Sequence, residues 1–144
     1  MTTVASTPTI TVKRKIAAPA QQIFDAWLNP SSLAEWMRPC ASTYSSAKVD
    51  AREGGAFEIV MHVDSGPVCH TGVYQIIDAP RRLVFTWNSP HAGQNDSLVT
   101  VEFRPDGEAT EVVITHERLP EEARQGHTAG WTEILEMLAK TMGA

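Results

Sequence analysis

The sequence predicts an α+β domain: a curved antiparallel sheet of about six to seven strands packed against one long C-terminal helix, with two short helices after the first strand. Three observations carry this. Strand-like runs follow one another from Ser42 to Leu119 with only turns between them, and parallel pairing would need crossovers of a dozen residues or more. Trp131, Ile134, Leu135, Leu138 and Met142 recur at helical spacing and form the one long apolar stripe in the chain. Two short amphipathic segments stand between the first strand and the rest. A sheet of this kind has one face to bury, and the final helix is the element able to cover it.

The elements follow in order. Residues 1–8 are small and polar and are expected to fray as a flexible N-terminal segment, leaving 9–144 as a single domain. "TITVKRKI" alternates apolar and polar positions from Thr9 to Ile16, as a strand does. Pro19 suits a first helical position, and Ile23, Phe24, Trp27 and Leu28 share a helical face behind it. Asn29 is placed to cap a second helix that opens at Pro30, buries Leu33, Trp36 and Met37, and closes at Pro39. "STYSSAKVDAR" is a weak strand and "GGAFEIVMHV" a strong one. "DSGP" turns into "VCHTGVYQII", and "DAPRR" turns into "LVFTWNS". After the loop "PHAGQND", the runs "SLVTVEFRP" and "TEVVITHERL" flank "DGEA" as a hairpin. Pro120 opens the last helix, with Glu121 and Glu122 at its positive end, and the apolar stripe extends it to about six turns. Gly126 and Gly130 lie early on this helix, where glycine is costly. They imply either a close approach to a strand or ligand space, or a loosened first turn.

A chain of 144 residues can bury a core without staples. Its 12 basic and 17 acidic residues give a net charge of −5, and its basic clusters are the short Lys13-Arg14-Lys15 and Arg81-Arg82. That lacks the concentrated basic face that nucleic acid requires, so no nucleic-acid partner is expected. Cys40 and Cys69 form no CxxC pair, which predicts reduced thiols. The start "MTTVASTPTI" has neither a basic opening nor an apolar run, and no stretch is long and apolar enough to span a membrane. A cytoplasmic protein is expected.

The chemistry-bearing residues are few. His62, His70, His91, His116 and His127 show no i, i+4 pairing and no HExxH, and Cys69 and His70 point to opposite faces of a strand. No metal site and no cofactor are expected. Nucleophile elbows and phosphate loops are missing too. His62, Tyr74 and His116 lie on strands, with Glu58 on the face of His62, and are the candidates for acid–base catalysis should they enter a cavity. Parity leaves their direction open, because both sheet faces mix polar and apolar residues. Tyr74, Trp87, His116, His127 and Trp131 are the candidate ligand-binding residues. Core packing competes as the role of each tryptophan, and a satisfied structural role as that of each histidine.

The segments "QQIFDAWLNPSSLAEWMRP", "GGAFEIVM", "TGVYQIIDAPRRLVFTW", "VTVEFRPDGEATEVVITHERLP" and "HTAGWTEILEMLA" occur in an order that resembles the START/birch-pollen-allergen (SRPBCC) superfamily. The resemblance is to its branch related to the activator of the heat-shock protein 90 ATPase, and it runs from about Thr9 to Met142. It implies a helix-grip fold, often with a mainly apolar cavity between helix and sheet. It also implies three functions: binding of a small apolar or amphipathic ligand, a stress-related module with a chaperone partner, or a cyclase or dehydrase. Ligand binding without catalysis is the leading expectation, by a monomer or homodimer.

Overall fold

The structure is a computed structural model that describes residues 9–37, 44–63, 66–88, 97–119 and 121–142. Strand β1 (Ile10–Ile16) leads into helices α1 (Ala20–Leu28) and α2 (Pro30–Trp36). Strands β2 (Tyr44–Val49), β3 (Ala56–Val63), β4 (Gly66–Asp78), β5 (Arg82–Trp87), β6 (Ser97–Asp106) and β7 (Ala109–Glu117) follow, then a 3-10 turn (Glu121–Ala123) and helix α3 (Arg124–Thr141). The strands form one antiparallel seven-stranded sheet in the order β1-β7-β6-β5-β4-β3-β2. The chain therefore leaves the sheet at one edge and re-enters at the other. Helices α1 and α2 bridge the two edges, and α3 packs on β1 and α2. This is the helix-grip arrangement.

Local chemistry accounts for the elements. The Asn29 side chain caps α2, accepting the backbone N–H groups of Ser31 at 2.9 Å and Ser32 at 3.2 Å, and Pro30 follows where its missing N–H costs nothing. The C-terminal end of α2 is tied to β2 by Ser45, whose hydroxyl donates to the Met37 carbonyl at 2.8 Å. Ile23, Phe24 and Trp27 of α1 and Leu33 and Trp36 of α2 are buried, as their spacing requires. Phe57, Ile59 and Met61 of β3 face inward, as do Ser97, Val99, Val101 and Phe103 of β6, and all are buried.

The sheet bends at Gly72. A methyl group there would overlap the Thr86 carbonyl oxygen and lie 2.5 Å from the Phe57 ring. Next to it the Val73 N–H donates to the Thr86 hydroxyl at 2.9 Å, and a bulge shifts the register between Tyr74 and Ile76. Close strand approach and a bulge together sharpen local curvature.

Three expectations change. Pro19 stands at the N-cap of α1, one residue before the helix. Helix α3 begins at Arg124 rather than at the proline, so its 18 residues make about five turns, and the acids occupy the 3-10 turn. A methyl group at Gly126 or Gly130 would meet no neighbouring side chain or strand within 4 Å, so neither glycine serves a close approach to the sheet. The segment 1–8, the turn at 64–65, the loop 89–96 with His91, and Pro39, Cys40 and Pro120 lie outside the described residues.

Candidate functional site

A buried chain of hydrogen bonds links α3 to the middle of the sheet. The Trp131 indole N–H donates to His116 Nδ1 at 3.0 Å, and His116 Nε2 lies 2.8 Å from Ser97 Oγ. The Ser97 hydroxyl in turn donates to the Trp87 carbonyl at 2.5 Å. These partners assign the protons. Nδ1 must accept and Ser97 already gives its hydrogen away, so His116 is neutral and carries its proton on Nε2. Burial, with the neighbouring His127 ring 5.2 Å away, pushes the His116 pKa down to about 3. A ring fully engaged in this way is a structural strut between helix and sheet, and it has no nitrogen left for a substrate.

Beside this strut lies an aromatic layer. Trp131 packs against Trp87 at 5.1 Å and stacks near Trp27 at 6.4 Å, and the Trp87 ring stacks on His70 at 4.8 Å. Beneath it, between the helical bridge and the bent half of the sheet, is an apolar space. The helical side supplies Trp27, Leu33 and Met37; the sheet supplies Phe57, Ile59, Tyr74, Leu83, Phe85 and Trp87. Its volume is ≈ 10 Å³, about the room for one water molecule. A larger, open depression of ≈ 590 Å³ lies where the sheet bends, among Lys48, Asp50, Glu58, Thr71, Val73 and Asn88. It is wide and mixed in lining, with Val49, Ala56 and Phe57 beside the polar groups, and none of the candidate site residues chosen from sequence lines it.

The sequence-chosen residues thus separate into three groups. Tyr74 and Trp87 line the apolar space together, and burial raises the Tyr74 phenol far above its usual range, which makes it a poor proton donor or acceptor. His116 and Trp131 form the strut, with His127 edge-on to His116 and its Nδ1 2.9 Å from the Ala123 carbonyl. His62 belongs to neither group. It points to the outer face of β3, where it stacks on Tyr44 with ring centroids 4.2 Å apart, so it does not enter the interior. No group of three His, Cys, Asp or Glu side chains placed to hold a metal occurs among the described residues. No described helix is long and apolar enough to cross a membrane.

Sequence reasoning passed over Ser97 and most of the lining. A parity signal was present for the strut: Ser97 stands in step with Val99, Val101 and Phe103, and His116 in step with Ile114 and Val112. Polar residues that replace an apolar one in such a series face the core. The lining of the apolar space had no such signal, because Trp27, Leu33 and Met37 read identically whether they meet a solid core or a cavity.

Comparison with known proteins agrees with this architecture. A family model described as Activator of Hsp90 ATPase homolog 1-like protein matches residues 17–143. No curated protein matches at a significant level. Among solved structures, a protein from Chromobacterium violaceum is 25% identical with a TM-score of 0.85, over 94% of this chain and 97% of that one. An AHSA1-like protein from Aeromonas hydrophila is 23% identical with a TM-score of 0.78, over 92% and 90%. An HSP90 activator from Plasmodium falciparum is 23% identical with a TM-score of 0.76, over 94% and 96%.

Proposed function

Since this chain belongs to the Activator of Hsp90 ATPase homolog 1-like family, within the SRPBCC superfamily, we propose that it is a binding domain for a small apolar molecule, received between the helical bridge and the bent half of the sheet. The observation that carries this reading is the apolar space bounded by Tyr74, Trp87 and their neighbours. Pockets for small molecules are concave and mainly apolar, with few polar groups. At ≈ 10 Å³ the space must widen to accept a ligand. The side able to yield is α2, a seven-residue helix that contributes Leu33, with the adaptable thioether of Met37 at its C-terminal end. Widening costs free energy, so the reading favours a small ligand of modest affinity.

A thermal-shift screen of the purified chain against fatty acids, sterols, flavonoids and polyketide-like aromatics tests this. A ligand at about a hundred times its dissociation constant stabilises by roughly 2.7 kcal/mol, several degrees in melting temperature. A flat response across the panel defeats the proposal.

A second reading, action on a chaperone ATPase, is favoured by the family match and by the likeness to the Plasmodium activator. Stimulation of a purified Hsp90 ATPase by this chain checks it. Among the described residues Tyr44 and Val73 are the large apolar side chains left exposed, a sparse surface for such docking.

A further inference from the structure

Two of the four tryptophans have their indole N–H satisfied and two do not. Trp36 donates to Ser32 Oγ at 3.1 Å and Trp131 to His116. The indole nitrogens of Trp27 and Trp87 have no partner, although the residues are only 2% and 3% exposed. Both residues line the same apolar space. A buried donor without a partner costs about 1–3 kcal/mol, and native interiors hold few of them. Two such donors on residues that line one cavity point to a hydrogen-bond acceptor received there.

From this we propose that the ligand is a neutral, carbonyl-bearing apolar molecule, such as a cyclic ketone, quinone or ester, whose oxygen accepts from Trp27, Trp87 or both. This rests on the binding reading above and narrows it. The chemistry of the wall argues against charged and donor-rich occupants. An anion would be buried with no cationic side chain among the lining residues, at a large desolvation cost. A water molecule would accept from the indoles but brings two donors of its own. Among the lining side chains the Tyr74 hydroxyl oxygen and the weakly accepting Met37 thioether could receive them. A primary amide, with two N–H donors, meets the same shortage. A carbonyl oxygen accepts and makes no such demand, and a flat ring attached to it matches the aromatic walls.

The test uses the full chain and two probes of nearly equal shape, 1-tetralone and tetralin, which differ in the carbonyl. Binding is followed by the four indole Nε1–H resonances in ¹⁵N-labelled protein. Tetralone should bind about tenfold more tightly than tetralin and move the Trp27 or Trp87 resonance downfield. Trp36 and Trp131, already bonded, serve as internal references and should move little. In at least one of Trp27→Phe and Trp87→Phe the preference should collapse, while tetralin affinity is kept. Equal affinities, with Trp27 and Trp87 unmoved, overturn the carbonyl inference and leave an apolar pocket standing. A preference accompanied by shifts at Trp36 or Trp131 instead also overturns it. Binding of neither probe, together with a flat ligand screen, removes the pocket and the inference with it.

Discussion

Acidification should weaken this protein in part through His116. In the folded state its pKa is held at about 3 by burial and by the His127 charge, against an ordinary value of 6.5. The folded value lies below the unfolded one. Above the unfolded value both states are neutral and the residue contributes no pH dependence. As pH falls below it, the unfolded chain takes up a proton that the folded chain refuses, and stability is lost progressively down to the folded value. Between about pH 7.5 and about pH 5 the loss is ~2 kcal/mol, since each pH unit in the window carries about 1.4 kcal/mol. Urea denaturation at the two pH values, on the native chain and on His116→Gln, isolates the contribution, because every other ionisable group is common to the two proteins. The native chain should lose ~2 kcal/mol more than the variant over this interval. Should the variant fold poorly, imidazole ¹⁵N spectra at about pH 5 read the ring directly: Nε2 protonated, Nδ1 bare. Equal losses in the two proteins, or a doubly protonated ring in the folded state, would refute the proton assignment along Trp131, His116 and Ser97.

Other substitutions probe the frame around the site. Gly130→Ala and Gly126→Ala should each stabilise by roughly 0.5–1 kcal/mol, as neither methyl meets an obstacle; a lower melting temperature in either would show that the position needs glycine. Gly72→Ala should destabilise by at least about 2 kcal/mol, because its methyl overlaps the Thr86 carbonyl and crowds Phe57; chemical denaturation measures it. Asn29→Ala should cost about 1 kcal/mol by removing two capping bonds. Since α2 carries Leu33 into the pocket wall, the same change should also alter tetralone affinity, by titration under identical conditions.

Much of the fold is written in short-range chemistry. The period of two in β3 and β6, the Asn29-Pro30 start of α2, and the Trp131-Ile134-Leu135-Leu138 stripe of α3 each depend on neighbours within one or two turns of chain, so they are legible without coordinates. Strands joined by turns also dictate antiparallel pairing. Where reading failed, the deciding partner was distant in sequence. Gly126 and Gly130 left a close approach and a loosened first turn both open, and the open space that removes the first depends on where the sheet lies, which no local pattern records. His62 and His116 looked alike on their strands; one meets Tyr44 across the outer face, while the other meets Ser97 and Trp131 inside.

The same division holds for the site. Tyr74 and Trp87 were recognisable from residue type and strand position, and both belong to the apolar wall. Their junction with Trp27, Leu33 and Met37 arises because the chain exits at β1 and returns at β2, carrying α1 and α2 from one sheet edge to the other. Hydrogen-bond satisfaction is likewise a property of the packed state. All four tryptophans carry the same indole; Trp36 meets Ser32 one helical turn back, a local contact, whereas Trp131 finds His116 only across the fold and Trp27 and Trp87 find no acceptor. Element type follows from contacts a few residues apart. Which polar groups pair across elements, and how much space is left beside them, follows from contacts that exist only after helix and sheet have met.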